Sequence, residues 1–108
     1  MAKYLVIESR DPFDSSDSSY LPELVEGIAK RGNETTVFLV QNGGLPARKG
    51  SKYNNLIAKL VQSKVKVFAD RFSLKERAIS KLAEGVEAAD IDRLLDLLLE
   101  PATKAIWH

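Results

Sequence analysis

Residues 65–79 concentrate the chemistry this sequence can offer. An apolar run, Val65, Val67, Phe68 and Ala69, has the make-up of a buried strand and breaks at Asp70, Arg71 and Phe72. In an open α/β sheet, ligands and reactive groups gather where strands end, at the carboxyl edge. Here that edge offers Ala69, an inert methyl, and Asp70, a carboxylate and weak nucleophile. Asp11, Asp14 and Asp17 lie three apart, with Glu8 just before them, and are oxygen donors of the kind Mg²⁺ takes. A metal-dependent hydrolase could use them. The same acids suit a solvated turn and a helix N-terminus, and no motif elsewhere completes a metal site, so the turn is preferred. Gln41-Asn42-Gly43-Gly44 would let backbone amides approach an anion, with Arg48 and Lys49 to help. The phosphate-loop pattern is missing, however, and a plain turn is the simpler reading. Asn42, Gly43, Gly44, Arg48, Lys49, Asp70 and Arg71 are therefore the ligand-binding candidates. Ser15, Ser16, Ser18 and Ser19 lack a nucleophile-elbow context, and the sole histidine, His108, is the last residue. There is no cysteine, which excludes disulfides, thiolate metal sites and any cysteine chemistry within the chain. No metal and no cofactor is expected.

These residues need elements to hold them. At 108 residues, 44% apolar and 29% charged, the sequence suits one domain, 1–108, with one modest core. A net charge of +1 makes no global case for nucleic acid or a membrane surface. No run reaches membrane-spanning length and none reads as a signal peptide, so the cytoplasm is the expected location. Residues 3–9, 35–40 and 65–69 are nearly continuous apolar runs, the mark of strands buried on both faces in a parallel sheet. Between them, Leu21, Leu24, Val25 and Ile28, then Leu56, Ile57, Leu60 and Val61, recur at helical spacing. Residues 41–44 read as a loop and 45–52 as irregular and basic. Ser73-Leu74-Lys75-Glu76 matches a capping box, which predicts a helix capped by Ser73. Residues 82–88 are ambiguous between strand and loop. Asp90 is expected to cap a helix over 91–99, and 103–107 reads as a last strand. The alternation predicts a three-layer α/β/α sandwich with a mostly parallel sheet of about five strands, in which 3–9, 35–40 and 65–69 are adjacent.

The order and wording of these pieces resemble the DsrE/DsrF/DsrH-like family of sulfur-relay proteins, most closely its DsrH/TusB-like branch. Ser9-Arg10-Asp11-Pro12-Phe13 is similar to that branch's S-R-x-P-F after the first strand. Leu39-Val40-Gln41-Asn42-Gly43 resembles L-L-Q-D-G. Residues 67–79 resemble V-Y-A-x-x-x-D-x-x-A-R-G-L, with Ala78 where the glycine falls, and Ala105-Ile106-Trp107 is similar to a terminal A-W. The resemblance implies a small α/β subunit that assembles with DsrE- and DsrF-like chains, or with itself, in complexes that pass persulfide sulfur for tRNA thiolation or sulfur metabolism. In active members a cysteine sits just past the third strand. The matching position here is Ala69, or Asp70 if the frame shifts by one. The implied role is non-catalytic, a partner supplying the thiol. The apolar stripe of 94–99 is wider than one core face needs, most of it core and the remainder suited to a partner surface, and Trp107 suits either packing as a strand residue or anchoring a subunit contact. Leu95, Leu98 and Trp107 are therefore the interface candidates. A homo-oligomeric module binding a small anion is the alternative function.

Overall fold

A computed structural model describes residues 3–9 and 21–107. Within these, five strands form one sheet: β1 (Lys3–Glu8), β2 (Glu34–Leu39), β3 (Lys66–Asp70), β4 (Val86–Ala89) and β5 (Thr103–Trp107). The order is β4-β3-β2-β1-β5, and all four pairings are parallel. Four helices alternate with them: α1 (Leu21–Lys30), α2 (Asn54–Gln62), α3 (Arg71–Glu76) and α4 (Ile91–Leu99). The α/β class, the five strands and the adjacency of β1, β2 and β3 are as the sequence predicts.

The layering follows from connection handedness. From β1 the chain steps to β2, β3 and β4 in one direction, then returns across the sheet to place β5 beside β1. Right-handed crossovers put the helices of the outward steps on one face and the helix of the return step on the other. The buried side chains sort in this way. Val25, Ile57, Leu60 and Leu74 from α1, α2 and α3 pack with Val6, Val37, Val67 and Ala69. Leu94, with Leu97 beside it, packs on Leu5, Ile7, Phe38 and Phe68. Phe38 and Phe68 stack on neighbouring strands with ring centroids 6.0 Å apart. Each fully buried side chain of this size stabilises the fold by roughly 1.5–3 kcal/mol, so both faces must be covered, and continuous apolar strands result.

Local structure departs from the sequence reading in four places. Ser73 does not cap α3. Pairing of β3 with β4 continues to Asp70 opposite Ala89, and α3 starts at the next residue with no loop between. Asp70 is the N-cap, its carboxylate accepting the Ser73 amide at 3.1 Å, so Ser73 sits at the third helical position. Residues 41–44 are not a loop, nor are 45–47 irregular: Gln41–Ala47 is a 3-10 helix that passes through Pro46. Asp90 occupies the N-cap of α4 without a side-chain cap; its carboxylate faces Arg71 Nε at 3.5 Å. The ambiguous 82–88 stretch divides, Leu82 bridging antiparallel to Arg48 and Val86 opening β4.

Candidate functional site

At the carboxyl edge of β2 and β3, under the start of α4 and the end of β5, lies a cleft of about 280 Å³. Its polar side is Gln41, Asp70, Ser73 and Glu76, and its apolar side is Val40, Phe72, Ile91, Leu94 and Trp107. Asp70 is 8% exposed and Ser73 is buried. The Ser73 hydroxyl donates to Asp70 Oδ2 at 2.6 Å and accepts the Gln41 amide at 2.9 Å. One serine oxygen thus joins the start of the 3-10 helix to the cap of α3. With its proton on Asp70 and a lone pair on Gln41, this hydroxyl is a brace. Arg77 ties the same two elements from outside, donating from Nε to Asn42 Oδ1 at 2.9 Å and from Nη1 to the Ser73 carbonyl at 3.2 Å.

The two positions that the family resemblance leaves open, 69 and 70, fall in different environments. Successive strand residues face opposite sides of a sheet. Ala69 is fully buried, between Leu39 of β2 and Ala88 of β4, on the face covered by α1, α2 and α3. Asp70 lines the cleft.

The remaining candidates scatter. The Gly43 amide donates to the Val40 carbonyl at 2.9 Å, and a Cβ on Gly43 would run into the carbonyl oxygen of Glu8. Glycine is needed there so that the 3-10 helix can cross the end of β1. Gly44 is buried, with open contact distance to Leu74. Arg48 and Lys49 lie on the exit of the 3-10 helix beside Lys81 and Leu82, the Lys49 amide donating to the Lys81 carbonyl at 2.8 Å. Arg71 points along the sheet edge, its Nη2 donating to the Ala88 carbonyl at 3.2 Å. Asp11, Asp14, Asp17 and His108 lie outside the described residues, as does most of the S-R-x-P-F stretch. Among the described residues no three acids or histidines converge as a metal site would require, and no helix is long and apolar enough to cross a membrane. Gln41, Phe72 and Ile91 are not among the ligand-binding candidates read from sequence. The D-x-x-S pattern closing an apolar run was the available signal for the Asp70–Ser73 pair.

Around the cleft, large apolar side chains face solvent. Trp107 is 68% exposed, Phe72 67% and Ile91 52%, and on α4 the band continues through Leu95, Leu98 and Leu99. Trp107, Leu95 and Leu98 are thus exposed apolar groups.

An open, all-parallel α/β sheet with a cleft at its carboxyl edge defines the class of protein. Within that class, the chain belongs to the DsrE/DsrF-like family, whose model matches residues 2–107. Among solved structures, it is similar to the ychN protein from E. coli, with a TM-score of 0.90 at 17% identity over 100% of both chains. It is also similar to MTH1491 from Methanobacterium thermoautotrophicum, a protein of unknown function, with a TM-score of 0.76 at 17% identity over 100% of both. BT1422 from Bacteroides thetaiotaomicron, likewise of unknown function, gives a TM-score of 0.78 at 13% identity, covering 98% of this chain and 94% of that one. At these identities the likeness is one of fold. No protein of curated function matches the sequence.

Proposed function

We propose that this chain is a cysteine-free subunit of a cytoplasmic sulfur-relay assembly, of the DsrH/TusB-like kind, built as a single domain. It supports persulfide transfer by a cysteine-bearing partner, in tRNA thiolation or in sulfur metabolism. The observation that carries this reading is the carboxyl-edge cleft itself. The family resemblance implies a thiol at the end of β3, at Ala69 or Asp70; here Ala69 is a buried methyl, and Asp70, which lines the cleft, is held as a helix cap by its bonds with Ser73. Persulfide transfer needs a thiolate that attacks, holds the terminal sulfur and releases it. A carboxylate does none of these. The apolar band of Phe72, Ile91, Leu95 and Trp107 supports docking of a DsrE- or DsrF-like subunit, or of a second copy, against the cleft mouth.

The test uses radiolabelled persulfide sulfur. The purified chain alone should take up no label from a persulfidated donor. Mixed with a cysteine-bearing DsrE-like chain from the same genome, it should co-purify, with the label on the partner's cysteine. Robust labelling of this chain alone would refute the reading.

A further inference from the structure

A second groove, of about 440 Å³, lies away from the carboxyl-edge cleft, between α3, β4 and the segment joining them. Its size falls within the roughly 300–1,000 Å³ usual for small-molecule sites. The apolar lining is Leu74 and Ile79, both buried, with Leu82 and Ala88. Arg71 and Lys75 stand over it, one helical turn apart on the same side of α3. No carboxylate is among the described residues that line it.

The walls are fixed before anything binds. The α3 end is closed by the Ala78 amide on the Lys75 carbonyl, at 3.1 Å, and the Ile79 amide on the Leu74 carbonyl, at 2.9 Å. The outer segment is held by the Arg48–Leu82 bridge, the Lys49 amide on Lys81 and the Ala83 amide on the Ala47 carbonyl at 2.7 Å. The basic side chains that line the groove are Arg71 and Lys75, both from α3. Arg71 is anchored through Nη2 to the Ala88 carbonyl and faces Asp90, which offsets part of its charge. Lys75 is exposed.

From this geometry we infer that the groove binds an amphipathic carboxylate, a short acyl chain laid on Leu74, Ile79, Leu82 and Ala88 with its anionic head at Lys75 and Arg71. Apolar chain burial supplies the affinity and the two cations supply the sign. The site is separate from the carboxyl-edge cleft and does not depend on the proposed relay role.

The probe is octanoate, titrated into the full chain and followed by amide shifts in two-dimensional NMR. Saturable shifts should cluster at residues 71–83 and 88 and leave Gln41 and Trp107 unmoved. Octylammonium, equal in chain and opposite in charge, should bind at least tenfold more weakly. Lys75→Glu, an exposed substitution that leaves the fold intact, should weaken octanoate by a similar factor, and Leu82→Ser should weaken it without changing the charge preference. Equal binding of the cation and the anion would overturn the proposal, as would octanoate shifts centred on Trp107. Absence of any saturable shift, with Leu82→Ser turning a larger species into monomer by light scattering, would assign the groove to a second copy and equally overturn it.

Discussion

At the scale of single residues, one side-chain pair sets the character of the cleft. Asp70 and Ser73 exchange a cap bond and a 2.6 Å hydroxyl bond, and Ser73 passes the connection on to Gln41. Asp70→Ala removes both, and the loss of an N-cap alone costs about 1 kcal/mol of stability, measurable as a lowered denaturant midpoint. A cysteine scan separates the two positions at the end of β3. Asp70→Cys places sulfur at the cleft and should react readily with a thiol reagent in the native protein. Ala69→Cys fits the core, because cysteine is small and soft, but should react on the order of tenfold or more slowly, since exposure there requires local opening. Equal rates would show that both faces of the strand end are accessible. Gly43 and Gly44 give a second contrast. Gly43→Ala drives a methyl into the Glu8 backbone, which cannot yield cheaply, and should cost on the order of 3 kcal/mol or prevent folding. Gly44→Ala meets only Leu74 Cδ2 at 3.4 Å and should be tolerated. From sequence alone the glycine pair reads as a plain turn, with an anion cradle as the alternative. The oxygen that constrains Gly43 comes from Glu8, 35 positions earlier, and no local pattern reveals it.

At the scale of elements, the strands and longer helices were legible because burial on one or two faces writes itself into apolar spacing. The ends were less so. S-x-x-E at Ser73 and D-x-x-S at Asp70 are overlapping cap signals, and the choice between them was made by β4, whose pairing keeps the chain extended up to Asp70. The 3-10 helix Gln41–Ala47 was illegible for a related reason. Its glycines and proline are poor helix formers, and it is held from outside by Ser73, Arg77 and the end of β1. Helix C-termini carry a testable strain. α2 and α3 both end in a six-to-one, five-to-two bond pair: Val65 to Leu60 with Lys64 to Val61, and Ile79 to Leu74 with Ala78 to Lys75. The residue at the left-handed position is Lys64 at φ 62° in one and Ala78 at φ 54° in the other, where glycine is the usual choice. Ala78→Gly and Lys64→Gly should each stabilise the protein by on the order of 0.5–1 kcal/mol, the relief of left-handed strain exceeding the entropy glycine adds to the unfolded chain. The sites lie on different helices with no shared partner, so the double variant should be additive. Chemical denaturation measures both, and a loss of stability at either would mean that the apolar contact beneath, Leu60 with Val65 or Leu74 with Ile79, had been disturbed.

At the scale of the whole molecule, the two faces of the sheet are covered unequally among the described residues. There, three helices protect one side, while α4 protects the other and leaves Ile91, Leu95, Leu98 and Leu99 turned outward. The leucine run of 94–99 was legible as wider than one core face, and the division within it follows helical spacing: Leu94 is buried and Leu95 is half exposed. Trp107 ends β5 at the cleft mouth, where a strand on the sheet edge offers it little cover. A contiguous band of this kind is unfavourable in water unless another surface removes it, and stable association removes about 1,200 Å² or more in total. Tryptophan is the side chain whose truncation most often costs binding energy. Leu95→Glu and Trp107→Ala should therefore weaken association, read as a shift to smaller species by light scattering across a concentration series, or as lost co-purification with a DsrE-like partner. Neither should lower the thermal midpoint of the isolated chain, because neither side chain is in the core. Leu94→Ala gives the opposite pattern: it empties a buried site under α4 and should cost roughly 2–5 kcal/mol of stability before any effect on assembly is measurable. A wild-type chain that stays monomeric at every concentration and captures no partner would leave the apolar band without an interface role.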